Sequence, residues 1–219
     1  MLHFGWLGEA WPSLLSGLGM TTMLIAFVAT LGTIFSVLGA AGRRSRYKPL
    51  RQAVAAYVEI IRNTPFLVQL FFIFFGLPSL GIRLGNVPAA VIAMTMNMTA
   101  YGIEIVRSGL DAVPAGQWEA AGALGLGRWR IFLSVILPQA LRVIFPAFSS
   151  QIIIIMLESA VVSQIAVRDL TYQADMIQSR TFRSFETYLV VTAMYLLLAL
   201  AVRRLLRATA RRFIFRGQE

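Results

Sequence analysis

The sequence has 219 residues, of which 58% are hydrophobic and only 14% charged, and its formal net charge is +10. This length suits about one domain, but the charged fraction is too low for a soluble protein, so the composition indicates an integral membrane protein. The absence of cysteine excludes disulfides and zinc–thiolate sites, and a single histidine, His3, excludes histidine-based triads and His-rich metal sites. The only lysine, Lys48, belongs to no GxxxxGK[ST] pattern, so the chain has no phosphate-binding loop of an ATPase.

Apolar segments long enough to cross a membrane as helices follow one another along the chain, since a helix rises about 1.5 Å per residue against a hydrocarbon core of about 30 Å. They are 10–42, 63–82, 84–103, 143–167 and 187–202. Glu158 interrupts the fourth segment, and the fifth is so short that Arg203 and Arg204 are expected to reach toward the headgroups. The runs are continuous rather than alternating, which argues against a barrel and predicts an all-α integral membrane fold with five transmembrane helices.

Basic residues are distributed unevenly between the loops. The first loop, the third loop and the C-terminal tail carry most of them, whereas the second loop holds only Arg83 and the fourth mixes arginines with acidic residues. Because loops rich in arginine and lysine stay in the cytoplasm, we expect an external N-terminus and a cytoplasmic C-terminus. The chain then divides into an extracytoplasmic segment 1–16, a transmembrane domain 17–206 and a basic cytoplasmic tail 207–219. Nucleic-acid binding is rejected because these short basic runs have no aromatic stacking platform.

The third loop, about 108–142, is too long for a simple connection and too apolar for a solvated linker. Pro114 is expected to open a helix on which three apolar residues share one face. They are Trp118, Ala121 and Leu124. Three glycines are then expected to end this helix: Gly122, Gly125 and Gly127. A second short apolar helix over 129–137 is expected, and Pro138 either ends it or turns the chain toward the fourth span. Such a small-residue surface would let another protein approach closely; the alternative is a helix lying on the lipid headgroups.

A specific pattern runs through this loop. Glu119-Ala120-Ala121, Gly125 and Val135-Ile136-Leu137-Pro138 follow one another in the spacing of the EAA loop of ABC importer membrane subunits, whose pattern ends in Ile-x-Leu-Pro. Val135 replaces the isoleucine. The chain therefore resembles the permease subunits of ABC importers.

Further segments narrow the resemblance to permeases for polar amino acids, the group of the histidine/lysine/arginine/ornithine, glutamine and opine systems. They are the Tyr-Val-Glu-x-x-Arg-x-Thr-Pro stretch at 57–69, the Ala-Tyr-x-x-Glu-x-x-Arg stretch at 100–109, Gly-Gln-Trp-Glu-Ala-Ala at 116–121 and Pro-Gln-Ala at 138–140. Asn63 stands where this group usually has glycine. The similarity covers about 17–206.

One segment departs from the group. Leu157-Glu158-Ser159-Ala160-Val161 occupies the place where many members carry Lys-Asp-Thr-Ser-Leu, so the lysine is absent and the acid is kept. Some subunits of paired, non-identical permeases lack this lysine. The departure therefore suggests a heterodimer, in which either half could hold the substrate site.

The resemblance implies a cytoplasmic coupling loop, about 115–137, between the third and fourth spans, as in type I ABC importers. The residues expected at the ATPase contact are Gly116, Glu119, Ala120, Ala121, Gly125, Leu126 and Gly127. The implied partners are two cytoplasmic ABC ATPase subunits, a second permease subunit, an extracytoplasmic amino-acid binding protein and membrane lipid, with no nucleic acid. ATP and magnesium would be held by the ATPases, so this chain is expected to bind no cofactor or metal and to be no enzyme.

The implied function is a permease subunit that moves a polar or basic amino acid, or a derivative such as an opine, into the cytoplasm across the bacterial inner membrane by alternating access. The alternative is a stand-alone secondary carrier or channel that is not coupled to ATP. Many secondary carriers consist of two inverted halves, but no internal repeat is visible here.

Polar residues inside the spans are candidates for the substrate pathway. They are Gln69, Asn97, Tyr101, Glu158, Ser159 and Gln164. A carboxylate within a span is costly, so Glu158 is expected either to contact a cationic group of the substrate, with Ser159 beside it, or to pair with an arginine of a neighbouring helix. Asn97 and Tyr101 share a helix face, and Asn97 either lines the pathway or joins helices.

Two acid–arginine pairs with helical spacing are predicted to be structural. Glu104 and Arg107 are expected to form an ion pair near the cytoplasmic end of the third span, which positions the coupling loop. Glu59 and Arg62 have the same spacing and are predicted to clasp a broken helix before Pro65.

Overall fold

The fold is a bundle of membrane-spanning helices. The computed structural model describes residues 4–213, so His3 and the end of the basic tail, 214–219, lie outside the described residues. Four helices in this part are long and apolar enough to cross a membrane: Leu7–Arg43 (α1), Asn86–Asp111 (α4), the composite Arg128–Ile165, and Ser184–Arg212. A bent pair of helices, Lys48–Arg62 and Phe66–Leu80, makes a fifth span if it is counted as one. The predicted all-α membrane fold is confirmed, with five spans on that count.

The second predicted span differs from a straight helix. The first loop contains a helix, Lys48–Arg62 (α2), which the sequence analysis treated as a loop. After a bend of 109° the chain continues as Phe66–Phe71 (α3), a π turn Phe72–Gly76 and a 3₁₀ turn Leu77–Leu80. Pro65 has an extended backbone, φ −63° and ψ 137°, at the N-cap position of α3, and it has no N–H with which to continue the hydrogen bonding of α2.

The third loop begins as predicted and then departs from the prediction. Helix α5 spans Ala115–Ala123, with Pro114 at its N-cap position. Gly122 lies inside α5, so it does not end the helix; the chain turns at Gly125, whose φ is +75°. This left-handed conformation is readily adopted by glycine.

The second short helix of this loop is not separate from the fourth span. Arg128–Ile131 (α6) runs through a π turn, Phe132–Ile136, into Leu137–Glu158 (α7) and a 3₁₀ segment, Ser159–Ile165. The alternative in which Pro138 ends a helix is therefore wrong, and the chain continues through Pro138 into the fourth span. The π turn shifts the hydrogen-bond register just ahead of Pro138, so the missing N–H of the proline does not interrupt the helix.

The fourth loop contains a helix that the sequence analysis did not predict. Helix α8 spans Leu170–Thr181, and Asp169 caps it by accepting a hydrogen bond from the Tyr172 N–H at 2.8 Å. Helix α9, Ser184–Phe213, follows and extends past both ends of the predicted fifth span. Arg203 and Arg204 thus lie within a continuous helix rather than after one.

Helix α4 is the centre of the bundle and packs against α1, α2, α3 and α7. Its fully buried apolar residues are Ala89, Ala90, Ala93, Met94, Met98 and Ala100. At Gly102 of α4 an added Cβ would overlap the side chain of Ser36 of α1. Small residues at such positions let membrane helices approach closely. Helices α1 and α4 therefore pack closely because at least one of the two facing residues is small.

Candidate functional site

A polar cavity of about 300 Å³ lies between the end of α2 and the C-terminal half of α4. Its lining residues are Val58, Glu59, Arg62, Asn63, Tyr101 and Glu104. Two carboxylates, one guanidinium and a tyrosine therefore face the same space. The bend after α2 carries one half of this set, and the central helix of the bundle carries the other.

The cation of the cavity is held by an aromatic ring. The guanidinium carbon of Arg62 lies 5.1 Å from the centroid of the Tyr101 ring, a distance typical of a cation–π contact. Glu59 and Arg62 share no salt bridge in the structure of residues 4–213, so the predicted clasp between them does not form. The side chain of Arg62 turns toward α4 instead, where Tyr101 attracts it.

Glu104 joins the cavity to a chain of ion pairs. Its carboxylate lies 2.7 Å from Arg107 and 3.6 Å from Arg43 of α1. Arg107 also contacts Asp111 at 2.9 Å, and Asp111 in turn lies 3.3 Å from Arg44. The Glu104–Arg107 ion pair is therefore part of a network that links α1 to the end of α4, directly before the loop that carries α5.

Gln69 and Asn97 form a second polar group. The amide nitrogen of Gln69 donates to the backbone oxygens of Ile61 at 2.7 Å and Thr64 at 3.0 Å, so this side chain bridges the bend between α2 and α3. The Asn97 amide donates to the Gln69 oxygen at 3.5 Å, while its own oxygen is buried without a hydrogen-bond partner among the described residues. Gln69 thus holds the broken helix, and Asn97 joins that helix to α4.

The remaining predicted pathway residues lie apart from the cavity, at the C-terminal end of α7. Glu158 is the last residue of α7, and its Oε2 atom is buried with no hydrogen-bond partner among the described residues. The hydroxyl of Ser159 donates to the backbone oxygen of Met156 at 2.6 Å, so its proton is already engaged. Gln164 is exposed. The structure therefore brings Tyr101 together with charged residues, but not with Glu158.

The loop that carries α5 leaves most of its surface uncovered. Ala121 is 5% exposed and anchors the helix on the bundle. Leu124 is 80% exposed, because α5 ends at Ala123 and Leu124 leaves the face that it was predicted to share with Ala121. Trp129 is 79% exposed. Glu119 and Ala120 are exposed as well, so the EAA segment presents its first two residues outward.

The sequence predicts structural pairs for Glu59, Arg62 and Glu104, whereas the structure places all three in one cavity with Tyr101. The signal was present in the spacing. An acid followed three residues later by an arginine occurs once before Pro65 and once after Tyr101, and α2 packs against α4. Two such motifs on adjacent helices can combine their charges in one site.

Comparison with known proteins assigns the chain to a family. Residues 32–215 match the family described as binding-protein-dependent transport system inner membrane component. The chain belongs to this family. The permease is 39% identical over 170 residues to the L-cystine transport system permease protein TcyB of Bacillus subtilis strain 168, an alignment that covers 78% of this chain and 73% of the relative. It is 32% identical over 202 residues to the arginine transport system permease protein ArtQ of the same organism, with 92% of each chain covered.

Two solved structures resemble the chain, one in sequence and fold and the other in fold alone. The permease is similar to the crystal structure of an amino acid ABC transporter with histidines, with a TM-score of 0.89, 39% identity, and coverage of 97% of this chain and 100% of that chain. The MetNI methionine ABC transporter shares the fold, with a TM-score of 0.61 at 23% identity, over 96% of this chain and 94% of that chain. The identification of an amino-acid ABC permease from the EAA-type loop and the flanking motifs is confirmed.

Proposed function

We propose that this permease moves a polar or basic amino acid, or a derivative such as an opine, into the cytoplasm by alternating access that separate ATPase subunits drive. The proposed assembly contains two such ATPases, a second, non-identical permease and an extracytoplasmic binding protein. It lies in the bacterial inner membrane, with the N-terminus outside and the C-terminus in the cytoplasm.

The observation that carries the proposal is the open surface of the loop 115–127. An added Cβ would meet no atom within 4 Å at four of its glycines. They are Gly116, Gly122, Gly125 and Gly127. The exposed Leu124 supplies apolar surface beside them. Small residues next to an exposed apolar side chain suit insertion into a groove of another protein, and the loop's EAA pattern supports an ATPase as that protein.

The ion-pair network supports transmission of a movement. Asp111 lies four residues before α5, and its contacts with Arg107 and Arg44 tie the start of the loop to α4 and α1. A displacement of the loop by the ATPases would therefore be passed to the helices around the polar cavity. ATP and magnesium bind to the ATPase subunits in this mechanism, and this chain supplies coupling and conduction.

The charges of the cavity support a cationic amino acid as substrate. Such a substrate carries two cationic groups and one carboxylate. Glu59, which forms no salt bridge among the described residues, complements a cation, and Arg62 complements the carboxylate through charge-assisted hydrogen bonds. Glu104 lines the same cavity but is already paired with Arg107 and Arg43. Tyr101 lies beside Arg62 and adds a hydroxyl to the same cavity.

Uptake into proteoliposomes that contain the purified complex tests the proposal. Labelled arginine, glutamine and cystine serve as substrates, with and without ATP on the ATPase side. We expect uptake that requires both ATP and the binding protein. Uptake that persists after ATP depletion with ion gradients clamped would instead show a secondary carrier or channel.

The variant Glu59→Gln tests whether the substrate is a cationic amino acid. Loss of one charge-assisted contact of about 1.5–3 kcal/mol corresponds to roughly a 10- to 100-fold weaker transport affinity for arginine. Glu9→Gln is the matched control, since Glu9 is exposed in the first turn of α1 and lines no part of the cavity. Equal arginine affinity in both variants would remove Glu59 from the site.

A further inference from the structure

A second cavity, of about 370 Å³, lies between α7 and α9, and one of its walls is strongly basic. This wall carries Arg203, Arg207 and Arg211. These residues are four apart on α9, so they follow one face of the helix over a length of about 12 Å. Neither the transport pathway proposed above nor the coupling loop uses this cavity.

The positive charge of this wall is not neutralised within the described structure. Among residues 4–213, no salt bridge or hydrogen bond engages Arg203, Arg207 or Arg211. Arg43 and Arg107, by contrast, are held by Glu104. Three adjacent guanidinium groups repel one another, so an arrangement that places them along one cavity is stabilised by an anion that binds there.

The opposite wall, on α7, supplies a hydrogen-bond donor. Ser149 lines the cavity, and its hydroxyl oxygen is buried without a hydrogen-bond partner among the described residues. The neighbouring Ser150 is satisfied, since its hydroxyl donates to the backbone oxygen of Pro146 at 3.1 Å. Ser149 is thus a buried polar group whose partner would come from outside the described structure.

The sequence of α9 places the cavity at the boundary between the hydrocarbon core of the membrane and its headgroups. The uncharged part of α9, residues 187–202, ends directly before Arg203. Phe145 and Ile153 of α7 line the same cavity and provide apolar walls. A ligand that fits this arrangement carries an anionic head and an apolar body.

We propose that the cavity between α7 and α9 binds the phosphate group of an anionic phospholipid, with Arg203, Arg207 and Arg211 as cationic ligands and Ser149 as a hydroxyl donor. Guanidinium groups bind phosphate oxygens in a bidentate manner. Basic pockets between membrane helices are a general form of headgroup site. The acyl chains pack against the apolar residues of α7. A free phosphate ion has no apolar part and would leave these residues uncovered.

The test measures which lipids remain bound to the purified complex after delipidation and incubation with equal amounts of phosphatidylglycerol and phosphatidylcholine, by native mass spectrometry. The wild type is expected to retain phosphatidylglycerol at least tenfold in preference to phosphatidylcholine. The triple variant Arg203→Gln, Arg207→Gln, Arg211→Gln is expected to lose this preference. The single variant Ser149→Ala is expected to weaken it severalfold while leaving every arginine in place.

A matched triple variant controls for the loss of three charges. Arg46→Gln, Arg51→Gln and Arg204→Gln remove the same charge at exposed positions outside the cavity, so this variant is expected to retain the preference of the wild type. Equal retention by the two triple variants would overturn the proposal. Should the cavity triple variant fail to fold, an unchanged preference in Ser149→Ala and in Arg207→Gln would overturn it.

Two further outcomes separate the lipid from other anions. Millimolar inorganic phosphate is expected not to displace phosphatidylglycerol; displacement of the lipid at such concentrations would show a site for soluble phosphate instead. Loss of a co-purifying protein chain from the cavity variant, with lipid retention unchanged, would assign the arginines to a protein contact.

Discussion

Gly17 of α1 lies against the backbone at the start of α8. An added Cβ there would lie 2.8 Å from the backbone oxygen of Asp169 and 2.9 Å from the Cα of Leu170. Backbone cannot move aside as a flexible side chain can, so we expect Gly17→Ala to destabilise the permease by about 1–3 kcal/mol, the usual cost of overpacking. Gly19→Ala is the control, because a Cβ at Gly19 meets nothing within 4 Å. Thermal unfolding in detergent should show a lower midpoint for Gly17→Ala alone; equal midpoints would contradict the close contact.

Glu158 presents a buried carboxylate oxygen with no partner in the described residues. We expect Glu158→Gln to weaken transport of cationic substrates more than it affects assembly, because a cationic substrate would lose an attractive charge while the amide keeps the shape of the side chain. Uptake kinetics for arginine and glutamine, beside the yield of the assembled complex, check this. Unchanged affinity and rate for arginine would exclude Glu158 from the pathway. A lower yield of the complex, with unchanged uptake per assembled complex, would assign Glu158 a role in assembly instead.

Asp169, the N-cap residue of α8, has a buried carboxylate and lies outside the membrane-spanning segments. Burial raises the pKa of Asp169 to about 6, although it accepts hydrogen bonds from the Tyr172 N–H and from the Tyr195 hydroxyl, and Asp175 adds to the increase. The folded protein therefore holds the proton more tightly than the unfolded chain, whose ordinary value is 3.8. Stability contributed by this group is present below pH about 4 and is lost as the pH rises to about 6.

The variant Asp169→Asn isolates this effect, because asparagine caps helices as well as aspartate does and does not titrate. We expect the difference in unfolding midpoint between the variant and the wild type to grow in favour of the variant between pH 4 and pH 7. Parallel midpoint curves over this range would show that Asp169 does not titrate there.

The spanning helices could be predicted because their apolar runs are long and carry few charges, whereas α2 and α8 could not be predicted that way. Both missed helices contain charged residues, so hydropathy alone reads them as loops. The continuation of the helix through Pro138 could not be predicted, because it depends on a π turn just before the proline that the local sequence does not reveal. The motif residues were found from the sequence, but the cavity that joins Arg62 to Tyr101 depends on a 109° bend between two helices. Contacts of that kind follow from tertiary packing.

Across the whole molecule, the proposed contact with an ATPase lies on the loop that carries α5. Gly122 offers a sharper probe of this contact than Gly125. Gly125 has a φ of +75°, so any side chain there strains the backbone as well as filling space. Gly122 lies within α5, is exposed, and has open space where a Cβ would be. A change at Gly122 therefore leaves this chain's own fold intact and alters only what can approach it.

The proposed contact is tested by a pull-down of the tagged chain from native membranes in mild detergent, with wild type, Gly122→Ala and Gly122→Arg side by side. We expect a P-loop ATPase to accompany the wild type and Gly122→Ala, since both keep a small surface, and to be absent from Gly122→Arg, whose bulky cation blocks a close contact. A second permease among the co-purifying chains would establish the heterodimer. The proposed contact would be contradicted if an ATPase accompanied all three variants equally. It would also be contradicted if no ATPase accompanied any of them under conditions that preserve a known ABC complex.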